Sequence, residues 1–270
     1  MRLLSWNVQW CRGLDGIVDP ARIVREARRI ADPDVLCLQE INVGFADLPG
    51  SSGEDQVAAL RTLLPGYAVF YAAAVDVPGP DGRRKRFGNI LASRLPVGRV
   101  VRHALPWPQS SAPSMPRAAV EAVIEAAFGP VRVVTTHLEY YSSRHRAAQI
   151  ERLLDLHRDT NLEKNADEPE GPYMPLPHPT SAIVCGDFNL PPDDPLHARF
   201  SEVFVDAWLA LNPGKPHPHT FRVHERKEDQ QPYCCDYVFL TEDLVPRLRS
   251  MAIDGENRAS DHQPVSVVLE

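Results

Sequence analysis

The sequence predicts an α/β layered sandwich, and three observations support that class. Apolar runs of strand length recur along the 270 residues, a few helical patterns interrupt them, and polar residues stand where the strands end. No internal period indicates a repeat protein, and no break in composition separates two cores. We therefore expect a single domain over residues 1–270, with a proline-rich surface insertion at residues 163–181.

The spacing of apolar residues predicts the individual elements. Strands are predicted at residues 2–8, 34–40, 67–75, 88–93, 97–103, 118–126, 131–136, 183–185, 235–240 and 265–269. Helices are predicted at residues 20–31, 57–64, 142–156 and 195–200. The Asp19-Pro20 pair indicates where the first helix begins, because aspartate is a good N-cap and proline suits the first helical position. Residues 78–87 are predicted to form a glycine- and proline-rich loop that carries the basic run 83–86.

Composition narrows the class of protein. Hydrophobic residues make up 43% of the chain, which suits a soluble protein with a sizeable core. The net charge of −7 argues against non-specific binding of nucleic acid. Carboxylates that bind a metal would account for part of this negative charge. The five cysteines are odd in number and lack zinc-site spacing, which predicts free thiols and a cytoplasmic location. Neither a cleavable leader nor a membrane span is expected.

Polar residues at strand ends are the unusual feature of the sequence. They are Asn7, Glu40, Asn89, His137, Asp187, Asn189, Asp236, Asp261 and His262. Any one of them could be a cap or a solvated group, but a core gains nothing from burying several carboxylates together. A hard cation resolves the conflict, since Mg²⁺ takes oxygen ligands. Glu40 and Asp261 would suffice as its carboxylates, with Asn7 adding a neutral oxygen.

The remaining polar residues suggest acid–base chemistry beside the metal. Gly186 is predicted to permit a sharp turn after a buried strand, and Asp187 and Asn189 then point to the same side while the chain stays extended. Such a pair could hold a phosphate and its attacking water. Asp236 could accept a hydrogen bond from His262 and fix its tautomer.

Seven short motifs, in this order, resemble the endonuclease/exonuclease/phosphatase superfamily of pancreatic-deoxyribonuclease-like proteins. They are Ser5-Trp6-Asn7, Leu38-Gln39-Glu40, Thr136-His137-Leu138-Glu139, Gly186-Asp187-Phe188-Asn189, His219-Thr220-Phe221, Asp236-Tyr237-Val238-Phe239 and Ser260-Asp261-His262. The resemblance covers nearly the whole chain. It implies a four-layered α/β sandwich in which two packed sheets, mainly antiparallel or mixed, are flanked by helices.

The resemblance also implies roles for individual residues. Asn7, Glu40 and Asp261 resemble the metal-binding residues. Asp187 resembles the group that positions or deprotonates the water, and Asn189 resembles one that orients it. His137, His262 and Asp236 resemble the groups that stabilise the phosphate, and Asp187 and His262 remain rivals for the base. Two further residues, Asn89 and Arg117, are predicted to contact the substrate. One position departs from some family nucleases: Gln9 stands where they carry an acid, which favours one principal metal ion.

We therefore expect a monomeric, Mg²⁺-dependent phosphoesterase, with Mn²⁺ as a substitute, that acts on a phosphate ester by in-line attack of water. A nuclease or DNA-end phosphodiesterase is the leading expectation. A phosphatase or phosphodiesterase for phospholipids or small molecules is the alternative, and a non-catalytic interaction module is a third. The basic run 83–86 is either a steering element for a polyanion or a solvated loop. Trp10, Tyr140 and Tyr141 either stack on a base or pack at the rim.

Overall fold

The computed structural model describes residues 1–80, 82–160, 177–224 and 231–270. Twelve strands are described: β1 Arg2–Asn7, β2 Val35–Val43, β3 Ala68–Pro78, β4 Arg84–Ser93, β5 Val97–Ala104, β6 Ala118–Ala126, β7 Gly129–His137, β8 Ala182–Asp187, β9 Val205–Asp206, β10 Asp236–Leu240, β11 Leu248–Ile253 and β12 Val265–Leu269. The α-helices are α1 Pro20–Ile30, α2 Gln56–Leu63, α3 Ser143–Asp159, α4 Pro195–Ser201 and α5 Ala207–Leu211. Short 3₁₀ helices are described at Gln9–Cys11 and Glu242–Arg247.

The strands form two six-stranded mixed sheets. The first has the order β11-β12-β1-β2-β4-β3, and the second has the order β5-β6-β7-β8-β10-β9. Each sheet contains one parallel pair at its centre, β1 with β2 and β7 with β8, and its other pairs are antiparallel. Parallel neighbours need a long connection, which α1 supplies in the first sheet and a segment containing α3 supplies in the second.

The two sheets pack face to face over a shared apolar core. Leu3 and Val35 of the first sheet and Val133 and Ile183 of the second belong to the same buried cluster. The outer face of the first sheet packs on α1 and α2, and the outer face of the second packs on α3 and α4. This arrangement confirms the predicted four-layered sandwich, and it explains why the central strands are apolar on both faces.

The predicted start of the first helix is confirmed. The Asp19 side chain accepts hydrogen bonds from the backbone nitrogens of Ala21 and Arg22, and Pro20 occupies the first helical position. None of the described helices combines the length and the apolar character needed to span a membrane.

Three predicted boundaries in the first sheet are wrong. The strand expected to end at Val75 continues to Pro78. The strand expected to end at Glu40 continues to Val43, and the basic residues from Arg84 onward belong to β4 instead of a loop. Pairing with β2 on one side and β3 on the other satisfies the backbone of Arg86, which a loop would leave to water. Of the predicted insertion, residues 163–176 lie outside the described residues; β8 begins at Ala182.

Candidate active site

One edge of the sandwich collects the polar ends of the central strands. Asn7 ends β1, and His137 and Asp187 end the parallel pair β7 and β8, opposite each other in register. Asp236 begins β10, which runs antiparallel to β8, so it too lies opposite Asp187. Because parallel strands finish at the same edge of a sheet, residues far apart in sequence meet there.

Glu40 reaches this edge through a β-bulge. Between the paired positions Leu38–Ile90 and Ile41–Gly88, both Gln39 and Glu40 lie opposite the single residue Asn89. Glu40 has a φ of +62°, a left-handed conformation that costs a non-glycine residue free energy. The bulge turns the Glu40 side chain toward the site within a continuing strand. The strand therefore does not end where the sequence predicts, and the Glu40 carboxylate lies beside Asn7 at the site.

Gly186 lies inside β8 and is not the predicted turn. A Cβ atom at this position would collide with the carbonyl oxygen of Thr136 on the neighbouring strand. The turn comes later, at Asn189, whose φ is +52° and whose backbone nitrogen donates to Oδ1 of Asp187 at 2.9 Å. Glycine therefore permits the close approach of β7 that brings His137 beside Asp187.

Asp187 lies at the centre of the site and is buried. Its Oδ2 accepts a hydrogen bond from Nδ2 of Asn7 at 2.9 Å. The same oxygen lies 3.4 Å from Nε2 of His137 and 3.6 Å from Nε2 of His262. Three of the predicted residues therefore surround one carboxylate oxygen of a fourth.

His262 is held by a chain of hydrogen bonds. Its Nδ1 lies 2.9 Å from Oδ2 of Asp236, which also accepts from the hydroxyl of Thr220 at 2.6 Å. On one side of the imidazole, the ring of Phe221 is stacked at 4.4 Å between centroids. These contacts leave Nε2 directed at Asp187 and bring together the Asp236–His262 pair that the sequence predicts.

The electrostatic environment shifts the pKa values of the two histidines, His262 and His137, in opposite directions. Burial lowers the pKa of His262, but the negative charges of Asp236 and Asp187 outweigh it and raise that pKa to about 10. Burial, together with the positive charges of Arg117 and His262, holds the pKa of His137 well below its ordinary value. His262 is therefore an imidazolium at neutral pH and His137 is a neutral imidazole.

The pKa values of the two central carboxyl groups, Asp187 and Glu40, are raised above those of exposed acids. Burial raises the pKa of Asp187 to about 6, with Asp236 adding to the shift and His262 opposing it. Burial and the nearby charge of Asp261 raise the pKa of Glu40 to about 7. Unfavourable negative charge on Glu40 and Asp261 is the situation that a bound cation relieves.

Residues around Glu40 and Asp261 provide oxygen atoms that suit a hard cation. Gln9 donates its Nε2 to Oδ2 of Asp261 at 2.7 Å, and its buried Oε1 has no hydrogen-bond partner within the described part of the chain. Asn7 turns Nδ2 toward Glu40 at 3.1 Å, while its Oδ1 accepts from the Gln9 backbone. The role of Asn7 as an oxygen ligand of the metal therefore stays a prediction. Among the described residues, Asp187, Cys235 and His262 also form a group whose ligand atoms could converge on a metal ion.

The two predicted substrate contacts differ in their surroundings. Asn89 is buried, and its Nδ2 donates to the carbonyl oxygen of Ala118 at 2.8 Å, which ties the two sheets together. Arg117 is also buried and pairs through Nε with Glu139 at 3.3 Å. Its buried Nη1 finds no partner among the described residues, so Arg117 keeps donors for an anion, and its charge already acts on His137.

Two contacts also hold the side chain of Asn189 in place. Its Nδ2 donates to the Leu138 carbonyl oxygen and reaches Nε2 of His137, both at 2.9 Å. This second contact makes Nε2 of His137 the acceptor, which places the proton of the neutral ring on Nδ1.

Gln9, Thr220 and Phe221 are parts of the site whose function the sequence does not reveal. In the sequence, Gln9 is only a position without an acid, and Thr220 and Phe221 are only members of a motif. Gln9 lies in a 3₁₀ turn whose three residues, Gln9–Cys11, all have positive φ. Three consecutive non-glycine residues in that region are unusual, and no local sequence signal identifies such a turn.

Two of the four residues in the basic run are paired with neighbouring carboxylates. Arg84 pairs with Asp76 at 2.7 Å, and Lys85 pairs with Asp47 at 3.3 Å while lying over the ring of Phe45. The run therefore offers less free charge for steering than the sequence suggests.

A two-sheet sandwich with carboxylate, histidine and amide groups gathered at its strand ends has the groups that hydrolysis of a phosphate ester needs. The chain belongs to the Endonuclease/Exonuclease/phosphatase family, whose sequence model matches residues 4–262. This match confirms the resemblance, and it confirms that the chain is an enzyme of the phosphoesterase class. No curated protein sequence matches the chain.

Solved structures share the fold at low sequence identity. An endonuclease/exonuclease/phosphatase from Bacteroides vulgatus is 18% identical, covering 100% of this chain and 98% of that chain, with a TM-score of 0.69. A mannosyl-6-phosphatase from Bacteroides thetaiotaomicron is 16% identical, covering 100% and 99%, with a TM-score of 0.68. A 3′ phosphatase from Neisseria, bound to a product DNA hairpin, is 17% identical, covering 100% and 99%, with a TM-score of 0.66.

Proposed function

We propose that the protein hydrolyses phosphate esters of nucleic acid with Mg²⁺ by in-line attack of water. The observation that carries the proposal is the position of Oδ2 of Asp187, which lies within 3.6 Å of Asn7, His137 and His262 at one edge of the sandwich. A water molecule placed at that oxygen would face a phosphate held by the surrounding donors.

Asp187 is the base in this mechanism. Its carboxylate is held by Asn7 and by the Asn189 backbone, so it can accept a proton from water without moving. A pKa of about 6 leaves it ionised at neutral pH and close to the range in which a general base is efficient. His262 is the weaker rival, because two carboxylates keep its ring protonated.

His262 acts instead as a fixed positive charge. Asp236 holds Nδ1, and Nε2–H, which lies 3.6 Å from Oδ2 of Asp187, can donate to a phosphoryl oxygen bound beside that carboxylate. Arg117, whose Nη1 has no partner among the described residues, and His137, with its proton on Nδ1, are further donors of the site. Together these residues compensate a charge that develops only as the bond to the leaving oxygen breaks.

Glu40 and Asp261 would hold the Mg²⁺ ion, with Gln9 and Asn7 arranging the two carboxylates. When bound, the ion polarises a phosphoryl oxygen and neutralises charge on the substrate. Glutamine at position 9 in place of an acid favours one principal ion. Mn²⁺, which accepts the same oxygen ligands, is expected to substitute.

Exposed aromatic rings beside the site favour nucleic acid as the substrate. Tyr140 and Tyr141 follow β7 closely, are 37% and 64% exposed, and meet edge to face with ring centroids 4.9 Å apart. Glu139, itself paired with Arg117, accepts from the Tyr141 backbone at 2.9 Å and so holds the two rings near the phosphate donors. Rings held in this way are suited to stacking on unpaired bases.

Hydrolysis of bis-p-nitrophenyl phosphate tests the chemistry first. Activity should need Mg²⁺ or Mn²⁺, disappear with a chelator, and return when metal is added back. His262→Ala should remove it, whereas Asp155→Asn, on the exposed side of α3, should not. Full activity in the presence of chelator, or in His262→Ala, contradicts the mechanism.

Substrate class is tested separately. Single-stranded, duplex and end-blocked DNA, RNA, phospholipid and sugar phosphates should be compared at equal metal concentration. Replacing Tyr140 and Tyr141 by alanine should raise KM for single-stranded DNA while leaving bis-p-nitrophenyl phosphate turnover unchanged. A preference for phospholipid or sugar phosphate that the double variant does not alter would instead support the small-molecule alternative, which the mannosyl-6-phosphatase neighbour represents.

We also propose a cytoplasmic, monomeric protein. The five cysteines are all buried and free, which suits a reducing compartment.

A further inference from the structure

A second group of potential metal ligands lies outside the catalytic edge. His197 in α4, Asp206 at the end of β9 and His217 in the segment before Thr220 place their ligand atoms within 4.8 Å of one another. Nε2 of His197 lies 2.9 Å from Oδ2 of Asp206, and Nε2 of His217 lies 2.8 Å from the same oxygen. All three side chains are buried, with exposed fractions of 6%, 3% and 5%.

The carboxylate of this cluster is oriented before any ligand binds. Oδ1 of Asp206 accepts from the backbone nitrogens of Trp208 at 2.8 Å and Leu209 at 3.2 Å, which caps α5. Oδ2 is thereby left for the two histidines. The same oxygen atom is therefore the point at which both rings converge.

The imidazole rings are oriented by aromatic packing. His197 lies 5.0 Å from the ring of Tyr237 and 5.4 Å from that of Phe239, and His217 lies 5.6 Å from Tyr237. The two imidazoles are nearly perpendicular, at 80°, with centroids 5.7 Å apart. Each ring donates Nε2–H to Oδ2 of Asp206, so an ion bound at Nε2 has to take the place of that proton, and the ring proton then lies on Nδ1.

We propose that His197, Asp206 and His217 bind a Zn²⁺-type divalent cation that fixes the segment preceding Thr220. Two imidazole nitrogens and one carboxylate oxygen are ligands that zinc prefers, at about 2.0–2.2 Å, and a tetrahedral ion leaves a fourth position. Ligand atoms around such an ion lie roughly 3.3–3.5 Å apart, so each nitrogen–oxygen pair has to open by about 0.5 Å. An open cleft of about 720 Å³, lined by His197 and His217 together with Asp193 and His219, gives the ion access.

The position of the cluster suggests a supporting role for the ion. His217 precedes Thr220 by three residues, and Thr220 donates to the Asp236 carboxylate that holds His262. An ion joining His217 to α4 and β9 would restrain the segment that carries Thr220. Mg²⁺ is a poor competitor, since it prefers a site made of oxygen atoms.

Zinc binding by the full-length protein tests the proposal independently of catalysis. The metal-free protein should be titrated with Zn²⁺ against a chromogenic chelator, with excess Mg²⁺ present, and the bound metal counted by mass spectrometry. The wild type should bind one zinc ion per chain tightly, and its Tm should rise by about 5–10 °C on binding. His217→Gln and His197→Gln should each weaken binding about 100-fold or more and remove the Tm gain.

Two matched variants show whether zinc binding depends on this cluster alone. His219→Gln changes another histidine of the same cleft and should keep the zinc, and so should Asp187→Asn, which changes a residue of the other potential metal group. Binding of Co²⁺ should produce the intense visible absorption of a tetrahedral site in the wild type and not in His217→Gln.

The proposal is overturned if the wild type does not bind zinc tightly, or if His217→Gln binds zinc as tightly as the wild type does. Loss of zinc in Asp187→Asn overturns it too. Circular dichroism of metal-free His217→Gln shows whether the variant is folded, so that the loss of a zinc ligand can be distinguished from unfolding.

Discussion

Nε2 of His262 lies 3.6 Å from Oδ2 of Asp187, although Asp187 ends a strand of the second sheet and His262 precedes a strand of the first. Neither group has its ordinary protonation behaviour. The carboxyl pKa of Asp187 is raised to about 6 and the imidazole pKa of His262 to about 10. The pair therefore consists of an anionic base and a cationic phosphate donor across the neutral range, as the proposed mechanism requires.

Asp187→Asn should lower kcat on bis-p-nitrophenyl phosphate by about 10²–10⁴-fold, the usual effect of losing an oriented base. The fold should persist because asparagine has the same shape and can still accept from the Asn189 backbone. Circular dichroism and kcat measured on the same preparation check both statements. A variant that turns over within a few-fold of the wild type would show that Asp187 is not the base.

The pH profile of kcat/KM should be bell-shaped. Activity should rise as Asp187 loses its proton near pH 6, and it should fall above about pH 10 as His262 loses the proton that gives it positive charge.

Asp236→Asn provides the control for the alkaline limb. This change removes the negative charge that raises the His262 pKa, so that limb should move to lower pH. An alkaline limb at the wild-type position in Asp236→Asn would argue that another group controls it.

Gly186→Ala should destabilise the protein by about 3 kcal/mol, because the new methyl group overpacks the contact between β8 and the Thr136 backbone. Activity should fall as well, since that contact sets the approach of His137 to Asp187. Urea unfolding measures the loss. Gly66→Ala is the matched control: Gly66 also has positive φ, but nothing lies within 4 Å of the added Cβ, so only a backbone cost of about 1 kcal/mol is expected. Equal losses in the two variants would contradict the steric explanation.

Glu40→Gln should make the metal-free protein more stable while it removes activity. Burial and Asp261 raise the Glu40 pKa to about 7, so the ionised carboxylate opposes folding. The penalty begins above the unfolded pKa near 4.5 and reaches its full size above pH 7. Unfolding at pH 8 without metal should show a gain of about 1–3 kcal/mol in the variant.

The gain from Glu40→Gln should vanish at pH 4, where the group is protonated in both states. It should also reverse when Mg²⁺ is added, because the ion stabilises only the wild-type carboxylate. A variant less stable than the wild type at pH 8 without metal would show that Glu40 contributes favourable contacts there.

Local patterns in the sequence determined much of this protein. Continuous apolar runs predicted the buried strands, the Asp19-Pro20 pair predicted the start of α1, and polar residues at strand ends indicated a site. These features depend on residues close together in the chain, whose periodicity and capping preferences follow from backbone geometry alone. The ordered motifs added the family, which the sequence match confirms.

Only the tertiary structure decided how those residues act. The bulge at Glu40, the close contact at Gly186 and the pairing of Arg84 with Asp76 each depend on a neighbouring strand. The protonation states of Asp187 and His262 depend on burial and on charges brought together from both sheets. The meeting of His197 with His217 across Asp206 has the same origin. Distances and electric fields between segments remote in sequence are set by packing, and no pattern within one segment contains them.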